Sequence, residues 1–292
     1  MDKVIKMICN LCPRECNIDR KQHTGFCGMG EQMKIARIAP HYDEEPMISG
    51  KNGTGAVFFS GCTLKCLYCQ NYEISAEHKG RTLTPYELSK AFRSLEEMGV
   101  HSIELVTATH FLYPILEALS IYRPHLPIIY NSSGYEKQET LKLLEGIVDV
   151  YLPDFKYSDD ELAFRLSGCR DYRDTALCAI KEMLRQTGEL EIKDGLIKKG
   201  VIVRHLVLPN HTKNSIEALK LLKEHFGDRI LVSLMSQYLP FGRANETEDL
   251  NRRITKREYE KVLDTLYALE LDGFAQDLSS AQEKYIPDWE TE

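Results

Sequence analysis

The chain has 292 residues, of which 43% are hydrophobic and 28% charged, and its formal net charge is −7. That length suits one large domain, or one domain with a small appendage, and the composition supplies ample material for a core. The acidic balance argues against nucleic-acid or anionic-membrane partners, no apolar run is long enough to span a bilayer, and "MDKVIKMICN" has no secretory core followed by a cleavage site. A cytoplasmic protein is the expectation.

In chain order, residues 1–50 are cysteine-rich, lack apolar periodicity and end in the linker-like run "APHYDEEPMISGKNGTG". They are expected to form a metal-binding leader and linker, with residues 51–292 as the main domain. From about residue 55, apolar runs alternate with amphipathic ones. Strands are expected at 55–62, 102–110, 126–133, 148–157, 199–209 and 229–240, because these stretches are rich in Val, Ile, Leu and Tyr and mostly lack polar alternation. Strands buried on both faces look like this.

Helices are expected between them. Residues 84–99 carry Thr84 as N-cap, Pro85 at the first helical position and Gly99 as the stop. Further helices are expected at 113–122, 137–147, 159–187, 215–227 and 255–273. Six strands alternating with helices give right-handed crossovers and a parallel sheet. Six units are too few for an eight-stranded closed barrel, so the expected fold is an α/β, partial (β/α)6 barrel with a small cysteine-rich N-terminal segment. Function then belongs at the carboxyl ends of the strands.

Seven of the nine cysteines fall within the first 69 residues. Without a sign of export this clustering points to metal rather than disulfides, and the Asn-x-Ser/Thr sequences at Asn131, Asn210 and Asn245 carry no weight. Cys62, Cys66 and Cys69 follow the first strand with spacing x3, x2. Three thiolates are one short of a closed site, which leaves either an iron–sulfur cluster with one open iron or a zinc knuckle borrowing a distant ligand. Position after the first strand of a βα array favours the cluster. Cys9, Cys12, Cys16 and Cys27 supply four thiolates in nineteen residues, enough to close a second metal site, zinc or iron–sulfur, unaided. Cys169 and Cys178 read as ordinary buried thiols. "GMGEQM" (28–33) has no strand before it and is not a nucleotide loop.

"CTLKCLYC" has the Cys-x3-Cys-x-aromatic-Cys pattern of the radical S-adenosylmethionine (SAM) superfamily, with Tyr68 at the aromatic place. Its surroundings, "FFSGCTLKCLYCQN", resemble the branch of pyruvate formate-lyase activating enzyme, and the leader "CNLCPREC" is similar to that of uncharacterised relatives with Cys-x2-Cys-Pro-Arg-x-Cys. "LPDFKY" (152–157) resembles the Asp-x-Lys signature of glycyl-radical activases, "VIVRHLVLPN" (201–210) their fifth strand and "NSSGY" (131–135) their third-strand loop.

The resemblance implies a [4Fe–4S] cluster on Cys62, Cys66 and Cys69, with SAM on the open iron. It further implies reductive cleavage of SAM to a 5′-deoxyadenosyl radical that abstracts hydrogen from a substrate, with the hard chemistry residing in the cofactors. It implies a flavodoxin- or ferredoxin-type electron donor and a protein substrate docking into the open side of the barrel. By the same resemblance, backbone near Tyr68 meets the adenine, and Asn131, Ser132 and Asp154 help to hold the SAM carboxylate. The superfamily's Gly-Gly-Glu stretch is replaced here by "VTATH" (106–110), leaving Thr107, Thr109 and His110 as candidates for its role. Asn131 stands where the activases have an aspartate. Asp154, Lys156, His110 and Arg204 are the catalytic candidates, with His205, Gln237 and Tyr238 as further residues for the barrel mouth. Asp154 and Lys156, two apart on a strand, share a face and could instead simply pair at the sheet end. Two other readings stand beside this one: a radical SAM enzyme acting on a small molecule, and a non-enzymatic metal-binding or electron-transfer protein.

Overall fold

The computed structural model describes residues 8–282 and Trp289; the remaining residues of the leader and of the main segment lie outside the described residues. A small hairpin comes first, with β1 (Ile8–Cys9) antiparallel to β2 (Ile18–Asp19). β3 (Lys34–His41) follows, then the four-residue α1 (Pro46–Ser49). β4 (Thr54–Phe59), α2 (Tyr72–Ser75), β5 (Arg81–Thr82) and α3 (Pro85–Glu97) carry the chain into the repeating part. There β6 (Ile103–Val106), α4 (Leu112–Ile121), β7 (Ile128–Ser132), α5 (Gln138–Leu141), β8 (Val150–Pro153), α6 (Asp160–Ser167) and α7 (Tyr172–Thr187) alternate. The short β9 (Glu191–Lys193) leads into β10 (Leu196–Leu206), α8 (Thr212–Phe226), β11 (Leu231–Met235), α9 (Lys256–Ala268) and β12 (Gly273–Ala275).

One sheet holds most of these strands, in the order β12-β11-β10-β8-β7-β6-β4-β3-β5. From β4 to β12 every neighbouring pair is parallel, while β3 runs antiparallel to β4 and β5 antiparallel to β3. The sheet does not close among the described residues, because β12 and β5 remain its two edges. The architecture is an α/β partial barrel. All six expected parallel strands form, in the expected order.

Four features differ from the expectation. β12 adds a seventh parallel strand to the six. β3 lies within residues 1–50 yet pairs along its length with β4. The expected helix at 159–187 is two helices, because Gly168 takes a left-handed conformation (φ 65°) after α6. The one at 137–147 is a single α-helical turn, α5, followed by a 3-10 turn at Lys142–Leu144.

Strand alternation divides the core in two. Val57 and Phe59 (β4), Leu105 (β6), Tyr130 (β7), Tyr151 (β8) and Val203 (β10) face the helices, joining Leu88, Phe92 and Leu95 of α3. Thr84 and Glu87 form a reciprocal capping box that fixes the start of that helix. The opposite, concave face carries Ile129, Val150, Leu152 and Ile202, and across it lies α1, whose Ile48 is 1% exposed and packs on these side chains and Ile197. α1 therefore plugs the concave face from inside. No helix among the described residues is long and apolar enough to cross a membrane.

Candidate active site

The loop after β4 starts with Ser60 and Gly61. Gly61 has φ 84°, and a Cβ there would stand 2.6 Å from Met29 Cγ and 2.7 Å from the Cys27 carbonyl. Only glycine allows the leader to approach so closely. Cys62, Cys66 and Cys69 then line one cavity of about 620 Å³ at the carboxyl ends of the parallel strands. Their sulfurs receive hydrogen bonds from the Leu64 amide (3.4 Å, to Cys62) and the Ser167 hydroxyl (2.9 Å, to Cys66), and Ser75 Oγ lies 3.2 Å from Cys69.

Burial pushes the Cys62 thiol up to about 12 and Cys69 up to about 11, and it raises Cys66 as well. Three thiols packed together resist ionisation until a metal charge joins them. Three soft sulfur donors lining one cavity suit the corners of an iron–sulfur cluster.

A charged network lines the same cavity. Lys156 Nζ is 2.5 Å from Asp154 Oδ2, and the Arg204 fork donates from Nε to Asp154 Oδ1 (3.2 Å), from Nη1 to Glu44 (3.1 Å) and from Nη2 to Asn131 Oδ1 (2.6 Å). Asp154 and Arg204 meet because they bridge neighbouring strand ends, and Ser233 on β11 sits level with Arg204. Burial would raise Asp154, but the Lys156 and Arg204 charges outweigh it and hold the carboxyl below its usual range. Lys156 is held above its ordinary value by Asp154 in spite of burial. Asp154 and Lys156 thus pair with each other and also line the cavity.

Thr107 lines the cavity with φ 60°, a rare conformation for a β-branched residue. That turn carries the next residues out of the strand. Thr109 donates to Glu136 (2.7 Å), and the His110 ring sits 2.7 Å from the Ser60 carbonyl, its pKa lowered by burial to about 3. Both are buried, and neither lines the cavity, whereas Asn131, Ser132 and Tyr68 do. The Tyr68 hydroxyl is 2.6 Å from that of Tyr157. Gln237 lines the cavity; Tyr238 instead donates to the Leu250 carbonyl, and His205 is turned to the helix side, 2.6 Å from the Phe155 carbonyl. Cys169 is buried as expected, but Cys178 is exposed.

The leader packs beneath this loop. Arg14 donates to the Thr63 carbonyl (2.9 Å), between Cys62 and Cys66, and to the Gly168 carbonyl (2.7 Å), with its guanidinium 3.9 Å over the Phe26 ring. The Cys16 and Cys27 sulfurs lie 3.6 and 3.4 Å from where a Gly25 Cβ would sit. Burial pushes Cys12 up to about 12 and raises Cys27. All nine cysteines are free.

Sequence reasoning missed the carboxylates. Glu44 and Glu45 sit in the run taken as a linker, and Glu104 is the one acid in the β6 stretch, at a concave-face position paired with Ala56. A charge at an inward alternation of an apolar strand was the available signal. Glu104 is wholly buried, accepts from Asn131 (2.7 Å) and is pushed well above the usual carboxylate range by burial and by Glu44.

Residues 56–222 match the family described as the Radical SAM superfamily. The chain belongs to the radical SAM superfamily. An uncharacterized protein of Methanocaldococcus jannaschii is 32% identical over 273 residues, covering 90% of this chain and 75% of that protein. A second from the same organism is 24% identical over 238 residues, covering 76% and 66%. Among solved structures, Streptococcus suis SuiB bound to precursor peptide SuiA aligns with a TM-score of 0.52 at 16% identity, over 75% of this chain and 48% of that one. Native anSMEcpe with bound AdoMet aligns with a TM-score of 0.50 at 13% identity, over 74% and 61%. The chain thus spans about half the length of SuiB. These likenesses confirm the fold of a radical SAM protein, and family membership brings with it a [4Fe–4S] cluster and SAM.

Proposed function

We propose that the chain is a radical SAM enzyme that acts on a protein, in the manner of the glycyl-radical activases. The observation that carries this reading is one cavity lined both by the three cysteines and by the Asp154–Lys156–Arg204 network. Cys62, Cys66 and Cys69 hold the cluster, and Tyr68, Thr107, Asn131, Ser132 and Asp154 hold SAM. Bound together, the two cofactors supply a hydrogen-abstracting radical. Lys156 and Arg204 bring positive charge to the strand ends where a carboxylate is to be oriented, and the cavity walls keep water from the reacting centre.

The unclosed sheet supports a protein substrate, since it leaves a side open to a loop, and SuiB was solved with a precursor peptide bound. Electrons come from a flavodoxin- or ferredoxin-type donor, and free thiols suit a reducing cytoplasm. Cys9, Cys12, Cys16 and Cys27 hold a second metal, zinc or an iron–sulfur cluster, in a leader comprising residues 1–50. A small-molecule substrate is the second reading, favoured by α1, which closes the base and limits what fits to about 620 Å³. Anaerobic reconstitution with iron, sulfide, SAM and a reductant tests the proposal. The expected products are 5′-deoxyadenosine and, in lysate, a protein that acquires a radical. Metal binding without SAM cleavage would refute the enzyme reading.

A further inference from the structure

The plug that closes the concave face also arms it. Glu45 precedes α1, lines the cavity and is 8% exposed, and its Oε2 has no hydrogen-bond partner. Ser233 of β11 lines the same cavity. Glu44 stands beside it, also lining the cavity.

The cations already present are committed elsewhere. Lys156 is taken by Asp154. Arg204 spends its three donor edges on Asp154, Glu44 and Asn131. A carboxylate oxygen buried without a donor costs about 1–3 kcal/mol, and more when charged. The partner that relieves Glu45 must therefore arrive with the ligand. It must be a donor, and the surplus of carboxylates over cations on this wall selects a positive one.

We propose that Glu45, with Glu44 beside it, receives an ammonium or guanidinium group of the substrate at the base of the cavity. This deepens the reading above by giving its substrate a charge, and it rests on that reading for the word substrate. The ammonium of SAM is a different group. Ser233, which lines the cavity with Glu45, lies on β11, five places along the sheet from β4, whose loop carries Cys62, Cys66 and Cys69. The group can come from a lysine or arginine of a protein, or from a free amine.

The experiment is equilibrium binding to the full chain, by calorimetry or ligand-observed NMR, without reductant. The probes are n-butylammonium against n-butanol, and the peptide Ala-Gly-Lys-Gly-Ala against its norleucine counterpart. Each charged probe that binds is expected to do so at least tenfold more tightly than its neutral counterpart, and Glu45→Gln is expected to remove that preference. Binding of the peptide alone assigns the group to a protein, of butylammonium alone to a small amine, and of both to the charge itself. Equal binding of charged and neutral probes overturns the proposal, as does a folded Glu45→Gln chain that keeps the preference, or competition between SAM and the amine. Should Glu45→Gln fail to fold, Glu44→Gln is expected to weaken the charged probes at least threefold, and an unchanged affinity there overturns it equally. Because no SAM cleavage is read, a chain that binds amines but makes no 5′-deoxyadenosine keeps the subsite and loses the enzyme reading.

Discussion

Replacing Ile48 by alanine tests whether α1 is seated on the concave face. The substitution removes three buried carbons, about 2.4 kcal/mol at about 0.8 kcal/mol per methylene. The walls of the space left behind are Ile129, Val150, Leu152, Ile197 and Ile202, all on the hydrogen-bonded strands β7, β8 and β10. Such walls cannot close in, so a cavity term adds to the transfer term and the total should reach about 3–4 kcal/mol. With a urea dependence of about 3 kcal/mol per molar, the unfolding midpoint should fall by about 1 M with the slope unchanged. Circular dichroism follows the whole fold, and Trp289, the sole tryptophan, sits edge-on to Phe58 at 5.3 Å and reports on the cavity wall. The two transitions should coincide. A loss below about 1 kcal/mol with both signals unchanged would mean that Ile48 does not fill the face, and the placement of Glu45 would fall with it.

Alanine at Cys62, Cys66 and Cys69 together should abolish SAM cleavage while leaving the circular dichroism spectrum intact, since the βα core buries its apolar faces without metal; cleavage at the wild-type rate would refute the cluster assignment. Metal analysis of that variant reads the leader alone, with about one zinc per chain favouring zinc, several irons with sulfide a second cluster, and no metal at all refuting both. Asp154→Asn should lower SAM affinity at least tenfold and also cost about 3 kcal/mol of stability, because it strands the part-buried Lys156 and takes one of three partners from Arg204; calorimetry with SAM and urea unfolding check the two parts. The Asp154 carboxyl is depressed in the fold, so the unfolded chain takes up its proton first, and its share of stability is full above about pH 4 and lost as the pH falls through the folded value. That acid-side loss should be absent from the asparagine variant. Arg14→Ala removes two charged hydrogen bonds, to the loop of Cys62 and Cys66 and to the end of α6, and should cost about 2–3 kcal/mol and speed proteolytic nicking of the leader.

What could be read in advance followed from burial. Parallel strands covered on both faces must be apolar throughout, so six of them announced themselves as Val- and Ile-rich runs, and their order followed from short right-handed connections. The cysteine triad was legible because its spacing is local. β12 was not, since Gly-Phe-Ala is too short to show a period and is a strand only through its pairing with Val232, Ser233 and Leu234. The α1 plug was hidden for a similar reason. A four-residue helix has no amphipathic signature, and the value of Met47 and Ile48 lies in a sheet face formed 80 to 150 residues later. The strand period also misled at "VTATH". Alternation puts Thr107 and Thr109 on one face, but the positive φ of Thr107 ends the strand there, and Thr109 and His110 turn beneath it.

An unclosed sheet has two edges, and each offers free amides and carbonyls to any passing strand. In this chain the edges are minimal: β5 has two residues, Arg81 and Thr82, and β12 has three. β5 also carries a charge, and β12 opens on Gly273, whose backbone is pressed so close to Val232 that a Cβ would stand 2.0 Å from its carbonyl oxygen. β5 covers only Lys34 and Ile35 of β3, and Pro40, which has no amide to donate, blunts the rest of that edge. The strands from β4 to β11 in that order have a neighbour on each side. Short outer strands and one proline thus keep an unclosed sheet from becoming a template for fibres.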